Sequence, residues 1–515
     1  MLLAFTVVFS TVIVISCKEN NPNPIVTAET KVDLSFVPTI LSSNVEIGNP
    51  ERGFYQWEND IFPNVLPVYD IYKRFSWRQI EPTKDVYDFS VIDNILNALK
   101  TGQRFSFRIM AFNSLNHNVK GIDVPDYIES EGRGWSISYN NTVGSSTMFV
   151  PDWNDSELLV RMEKLCLALA AKYDNEPRIG WIEDGLYGNW GEWHNYPVQY
   201  PNSAGQYTTP PGTFTGNAMY KPIYAPVMPD QANPSIQKYR EGSTQTIQRI
   251  LLAHTNAFTH KQLIHSTSNL PALFLALNQT REKPTGIRRD SWGDQNFKDI
   301  TKNNPYKPTA SEWVLFNERW KEAPFYTENW GGALLSESEM ISQLAYFNVS
   351  AIAYGGIGVW TSLSSDTQAS FLKYARASGY RYQISQANIH LNDSILSLKT
   401  SWRNINMAPS YENWNIKAYI INPKTNVLTS SKTSIAVNLK SLLNSTIAPI
   451  NDSITFKLNE GWKNEKILHL RVIVEDNNSY LKPLNLDMSV QNADGSYTLC
   501  TIEIINGVVQ LKRYN

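Results

Sequence analysis

Between about residues 53 and 360 the chain alternates short apolar runs with stretches of helical apolar spacing, and no other feature restricts its fold as strongly. The extended runs are Phe54–Glu58, Ile71–Ile80, Arg104–Phe112, one opening at Gly180, Gln262–Ser268, Gly286–Trp292, Pro324–Trp330 and Ala351–Trp360. Between them, Ser90–Leu99 places Val91, Ile92, Ile95, Leu96 and Leu99 on one helical face, and Glu157–Tyr173 follows Asp155 or Ser156 as its cap. Thr244–Phe258, Leu273–Leu277 and Glu337–Phe347 read as helices in the same way. Eight strands separated by helices predict a (β/α)8 TIM barrel over an open doubly wound sheet. Loops after the strands of such a barrel gather on one face, which holds the site. The two longest aperiodic segments, Asn113–Asp155 and Asn195–Ser235, follow the third and fourth strands and belong to that face, as walls of a cleft or as plain surface insertions.

Around this α/β domain, residues 48–380, the texture differs. From residue 381 to 515, Ile395–Trp402, Ile416–Ile421, Thr433–Leu439, Ile454–Leu458, Leu468–Val474 and Tyr497–Ile504 are short and alternating, with Asn, Asp and Gly between them. That pattern predicts a small antiparallel β-sandwich, which we read as a packing or spacer module. Residues 18–47 form a polar tether and an alternating stretch, Lys31–Pro38, that suits an added edge strand. Residues 1–17 hold an apolar run, Leu2–Ser16, that ends at Ile15-Ser16-Cys17 and is too short to span a bilayer comfortably. It resembles a bacterial lipoprotein signal with Cys17 as the lipidated residue, the alternatives being an ordinary signal peptide or a buried strand. The remaining cysteines, Cys166 and Cys500, fall in different domains and are expected to be buried free thiols. A net charge of -2 gives no electrostatic case for nucleic acid or an anionic membrane surface, so any membrane contact is expected through the lipid alone.

The stretch with most chemical content is Gly180–His194, an apolar strand that breaks at glycines and ends with Glu192 among Trp190, Trp193 and His194. Indoles beside a carboxylate supply a desolvating wall that raises its pKa and flat faces on which a sugar ring stacks. Ordinary core tryptophans next to a surface charge would leave the same sequence. Glycoside cleavage needs a second carboxylate across the bond, and Glu328, in Phe325-Tyr326-Thr327-Glu328-Asn329-Trp330, ends the seventh strand on the same rim. The histidines show no paired spacing of zinc-ligand type, and neither a phosphate-binding Gly-rich loop nor Gly-x-Ser-x-Gly is present, so no metal or other cofactor is expected.

These residues carry a family resemblance. Asn49-Pro50-Glu51-Arg52-Gly53-Phe54-Tyr55, Gly188-Asn189-Trp190-Gly191-Glu192-Trp193-His194, Gly286-Ile287-Arg288-Arg289-Asp290-Ser291-Trp292-Gly293 and the Glu328 segment resemble an uncharacterised family of bacterial secreted barrel proteins with a C-terminal β domain. More broadly the chain looks like the clan of retaining glycoside hydrolases on TIM barrels. Trp77-Arg78-Gln79-Ile80-Glu81-Pro82 with Val86-Tyr87-Asp88-Phe89 is similar to the second strand and turn of β-galactosidase-like barrels. The resemblance implies Glu192 as acid/base and Glu328 as nucleophile. One position departs from the clan: Gly191 precedes the acid where members carry Asn, whose side chain contacts the sugar 2-hydroxyl.

Supporting positions follow from strand ends. Arg74 and Arg108 lie within strands two and three, where a buried guanidinium requires acids. One of them holds Glu328 ionised, or both form structural bridges to Glu183 or Asp184. Asp290 and Trp292 end strand six, with Asp290 a substrate contact or an ordinary cap to the following turn; Tyr55, Trp57, Trp330 and Trp360 sit at the ends of strands one, seven and eight and line a subsite or pack. His194 orients Glu192, binds a hydroxyl or is an ordinary surface residue. The expectation is a lipid-anchored, retaining glycoside hydrolase of the bacterial cell envelope, at the outer membrane or cell surface, acting on an oligo- or polysaccharide. Its rival is a glycan-binding lipoprotein on the same barrel without the reaction.

Overall fold

The structure is a computed structural model that describes residues 30–42, 44–57, 66–113, 123–141, 144–194, 200–201, 207–208, 242–302, 306–329, 335–353 and 360–514. Cys17, the apolar run before it and most of the tether lie outside these residues. Eight strands close into a barrel: Gly53–Trp57, Asp70–Ser76, Arg104–Met110, Ile179–Glu183, Gln262–Ser266, Gly286–Asp290, Phe325–Glu328 and Ala351–Ala353. Each pairs in parallel with its neighbours in chain order, and the last pairs with the first. This is the TIM barrel that the alternation predicted.

A helix follows each strand from the second to the eighth: Ser90–Ala98, Ser156–Tyr173, Thr244–Ala257, Leu270–Leu277, Ala310–Glu318, Glu337–Tyr346 and Ser365–Ala377. Local signals start them. Asp155 accepts the Leu158 amide at 2.7 Å, and Thr309 and Glu312 form a reciprocal capping box. The helices at 310 and 365 are absent from the periodicity reading. The second strand is shorter than its apolar run, because Ser76 and Gln79 cap a helical turn, Trp77–Ile80, that buries Trp77 and Ile80. The aperiodic Asn113–Asp155 contains an antiparallel hairpin, Gly134–Asn141 with Gly144–Pro151. Of Asn195–Ser235, only a ladder of Tyr200–Pro201 with Tyr207–Thr208 lies within the described residues.

Side chains pointing into the barrel form layers, since alternate residues of a strand share a face. Tyr55, Tyr72, Trp181, Ile264 and Tyr326 fill the middle, with Trp181 4.6 Å from Tyr326 and 5.4 Å from Tyr55 between ring centroids. This aromatic layer closes the barrel beneath its C-terminal mouth. At the N-terminal end Arg104 meets Asp70 at 2.8 Å.

The C-terminal region packs two antiparallel sheets around one core. One orders Lys31–Phe36, Tyr382–Asn392, Ile395–Asn404 and Ile450–Lys457; the other orders Thr433–Ile435, Trp414–Ile421, Ile467–Asp476, Tyr497–Ile505 and Val508–Arg513. The N-terminal stretch joins as an edge strand, Lys31 opposite Asn392. Cys166 and Cys500 are buried free thiols.

The β region is bound to the barrel's N-terminal end by the Asn49-Pro50-Glu51-Arg52 run. Asn49 exchanges two 2.9 Å hydrogen bonds with the Asn485 backbone, Arg52 donates to the Tyr380 carbonyl at 2.8 Å, and Tyr380 donates to the Pro50 carbonyl at 2.7 Å. Glu412 reaches Arg104 at 2.8 Å and Lys283 at 3.3 Å, while Glu51 accepts the Tyr411 amide at 3.1 Å. Burial raises the Glu51 carboxyl, and the nearby Glu412 charge raises it further, to about 7 despite Arg104 and Lys283. The folded chain therefore holds this proton up to about pH 7, whereas an ordinary glutamate releases it near 4.5. The stabilisation is complete below the lower value and is lost as pH climbs through the upper one, a change on the order of 3 kcal/mol. Thermal unfolding of wild type and Glu51→Gln from pH 5 to 8 is expected to show wild type losing stability relative to the variant as pH rises; parallel curves would contradict it.

Candidate active site

The mouth of the barrel is built on two arginines that strand alternation turns inward. Arg108 donates through Nη1 to Glu183 at 2.6 Å and through Nη2 to Glu192 at 2.8 Å. Arg288 donates through Nη1 to the other Glu183 oxygen at 2.8 Å and through Nε to Asp290 at 2.7 Å. Its Nη2 binds Glu328 and lies 3.9 Å from Glu192. Tyr72 gives Glu183 a further hydrogen bond of 2.5 Å. Arg108, Arg288 and Glu183 are at most 2% exposed and form the floor, whereas Glu192, Glu328, Arg74 and Asp290 keep 10, 14, 22 and 24% of their side chains open and form the wall.

Glu192 arrives from a loop that folds tightly on itself. Leu186, Trp190 and Trp193 have positive φ of 67°, 55° and 65°, uncommon for residues with a Cβ and a feature of functional loops. The Leu186 amide donates to the Ile109 carbonyl at 2.8 Å, the Trp190 amide to Phe112 at 2.9 Å and the Asn189 amide to His194 at 2.6 Å. At Gly188 a Cβ would stand 2.5 Å from the His194 carbonyl oxygen, so the fold-back needs glycine. Gly191 has φ 69°, and a Cβ there would meet the Ile109 carbonyl oxygen at 3.1 Å and the Arg108 Cδ at 3.3 Å. At this position, where clan members carry Asn, the loop lies directly against strand three and a side chain would crowd its neighbours.

Electrostatics reverse one expectation. Burial pushes the Glu192 carboxyl up, but Arg108, the His194 hydrogen bond at 3.2 Å, Arg74 at 3.1 Å and Arg288 outweigh it and hold the group well below the usual range. The indole-raised acid of the sequence reading is an ionised carboxylate here. Glu183 is likewise lowered, its burial overcome by Arg108, Arg288 and Tyr72. Asp290 moves the other way: burial raises it, Glu192 and Glu183 add to the rise, and Arg288 offsets only part.

The expected site residues separate by position. Glu192, Glu328, Arg74, Arg108, His194 and Asp290 come together at the mouth. Neither Arg74 nor Arg108 is seen on Glu328, which Arg288 holds instead; Arg74 lies over Trp57, 4.3 Å from the ring centroid, and bonds Glu192. The bridge from Arg108 to Glu183, the structural alternative, is formed. Trp57 and Trp190 stay half-buried near the mouth. Trp193 and Trp292 do not line it. Trp193 is 1% exposed, donates to the Asp184 carbonyl at 2.8 Å and packs on His265 at 4.6 Å, anchoring the loop from behind. Trp292 is fully buried, donates to the Met340 carbonyl at 3.1 Å and meets Tyr374 edge-on in the helix layer, because Ser291 at φ 70° turns the chain outward after Asp290. Trp330 lies outside the described residues, as does the side chain of Trp360, whose backbone opens the turn Trp360–Ser362. Tyr72 and Arg288 carry no role in the sequence reading, and Glu183 enters it only as a structural bridge partner; the signal available for them was an inward-facing charge or hydroxyl two residues from an inward aromatic or acid.

No protein-family model and no curated protein matches this chain. Solved structures with some likeness include the β-amylase catalytic domain of Paenibacillus polymyxa, at 14% identity over 60% of this chain and 90% of that one, with a TM-score of 0.37. Endo-glycoceramidase II of Rhodococcus sp. aligns at 9% identity over 82% and 99%, with a TM-score of 0.37. The endo-1,4-β-xylanase of Caldicellulosiruptor owensensis aligns at 11% over 61% and 89%, with a TM-score of 0.29. Likeness of this degree leaves the reading of the site to its own geometry.

Removing one partner of a buried ion network leaves the others uncompensated. Arg108→Met is expected to cost about 3–5 kcal/mol in chemical denaturation, against a far smaller loss for Arg133→Met, whose bridge to Asp155 is partly exposed.

Proposed function

We propose that the barrel mouth hydrolyses a glycosidic bond of an oligo- or polysaccharide, with Glu192 and Glu328 on opposite sides of the bond. The observation that carries this reading is the convergence of both carboxylates, from the fourth- and seventh-strand sides, on Nη2 of Arg288. With an ordinary hydrogen bond of up to about 3.2 Å to Glu328, the two facing oxygens lie within roughly 7 Å, compatible with a pair that acts across one bond. Two supports follow from the surroundings. Trp57 and Trp190 stay half-buried beside the acids, and the aromatic layer below closes the barrel beneath the mouth.

The division of labour differs from the one the resemblance implies. Arg74, Arg108 and His194 keep Glu192 charged, which suits a nucleophile and handicaps a proton donor. In a retaining course Glu192 attacks the anomeric carbon, and the proton for the leaving oxygen comes from the side of strands six and seven. Glu192→Gln and Glu328→Gln are each expected to lower the turnover of a cleaved glycan by 100-fold or more, roughly the scale of a lost acid, base or nucleophile. A fluorinated glycoside that traps the covalent intermediate is expected to label the peptide holding Glu192. Label on Glu328 would restore the ordering of the clan, and unchanged turnover in both variants would remove the assignment.

One set of observations favours the binding rival: each acid of the mouth touches a guanidinium, and Gly191 brings no side chain to a sugar hydroxyl. A glycan held by the wild-type protein and recovered uncut after prolonged incubation would support it.

The proposal extends to the address. The apolar run ending at Cys17 and the polar tether after it support lipid attachment at the bacterial cell envelope, at the outer membrane or cell surface. Cys17→Ser is expected to abolish incorporation of labelled fatty acid and move the protein from the membrane fraction to the soluble one.

A further inference from the structure

Among the described residues the mouth brings together four carboxylates, Glu183, Glu192, Asp290 and Glu328, and three guanidiniums, Arg74, Arg108 and Arg288. Their partners are unevenly shared. Glu183 receives Arg108, Arg288 and Tyr72, and Glu192 receives Arg74, Arg108 and His194. Asp290 and Glu328, paired in register across strands six and seven, divide what remains of one guanidinium, Nε to the first and Nη2 to the second. His194 Nε2 lies 3.2 Å from the second Glu192 oxygen. Two carboxylates that share one guanidinium are relieved most simply by one proton between them, and among the described acids of the mouth the Asp290–Glu328 pair has the weakest compensation.

We infer that Asp290 carries this proton and is the proton donor of the site in place of Glu328, which then positions the Arg288 guanidinium beside it, with the Glu192 carboxylate as the attacking group. Of the two candidates Asp290 is more open to the mouth, 24% against 14%, as a group that must reach a leaving oxygen has to be. Arg288 is its one hydrogen-bond partner among the described residues, and the other charged or titratable groups around it are Glu192, Glu183, Arg108, Tyr55 and Glu328. The rise in its pKa through burial and the Glu192 and Glu183 charges agrees with this placement.

The inference rests on the glycosidase reading for its chemical step, though not for the location of the proton. In that step the carboxyl hydrogen of Asp290 passes to the glycosidic oxygen as the bond to the anomeric carbon breaks and its electron pair stays on that oxygen. A Glu192 oxygen forms the new bond to carbon. Water then attacks the same carbon, gives its proton to the Asp290 carboxylate and releases Glu192, so that both groups return to their starting state.

The proton is tested without substrate. Infrared difference spectra of the full chain, with and without a heavy-carbon label in the aspartate side-chain carboxyl, are recorded at about pH 5, where an ordinary aspartate is ionised. A label-shifted band of a protonated carboxyl is expected in the wild type, and its loss is expected in the isosteric Asp290→Asn. No such band in the wild type, or a band that survives in Asp290→Asn, overturns the inference whatever the protein cleaves. If a glycan substrate is found, Asp290→Asn is expected to lose about 100-fold or more on it and far less on a glycoside whose leaving group needs no proton. Equal losses on both overturn the donor role while leaving the hydrolase reading intact, and a wild type that cleaves nothing removes that reading while leaving the proton assignment to the spectra.

Discussion

The double bridge from Arg108 and Arg288 to Glu183 is the interaction on which the mouth of the barrel depends. Three fully buried charged groups are tolerable only because each oxygen of Glu183 meets a guanidinium and Tyr72 adds a hydroxyl. Once held there, the arginines present their remaining N–H groups upward, and those groups set the positions of Glu192, Asp290 and Glu328. The exposed chemistry is thus suspended from a buried charge network, and its geometry is as rigid as that network.

The network also decides what the carboxylates can do. A carboxylate beside indoles is expected to hold its proton, and the Trp190-Gly191-Glu192-Trp193 run reads that way in isolation. In the folded chain Trp193 lies behind the loop, and the groups that touch Glu192 are Arg74, Arg108 and His194. Cations at hydrogen-bond distance outweigh an apolar wall, so charge sits on the fourth-strand side and the proton on the side of strands six and seven.

The opposite end of the barrel uses the same physics for cohesion. Asp70, Arg104, Glu412 and Lys283 bridge the strands and the β region, with Glu51 buried among them. The Asn49-Pro50-Glu51-Arg52 run, one of the segments that carry the family resemblance, holds two parts of the chain together through backbone and side-chain hydrogen bonds. The charged groups at the N-terminal ends of the strands thus tie the β region to the barrel, and those at the C-terminal ends meet at the mouth.

The sequence by itself determined the barrel, because strand and helix periods are local and their alternation survives without tertiary information. It also determined the β-sandwich, its added N-terminal edge strand and the position of Glu328 at the end of the seventh strand, whereas Glu192 lies in the loop beyond the fourth. Short elements escaped it where local signals compete, as at Ser76, where a capping box ends the second strand inside an apolar run. Only the tertiary structure decided which tryptophans face the mouth, since positive φ at Ser291 and Trp193 redirects the chain in a way that periodicity does not encode. It also decided which arginine meets which acid. Arg74, Arg108 and Arg288 are equivalent as letters, and their partners follow from the closure of strands two, three and six around one axis, which brings together charges that lie far apart along the chain.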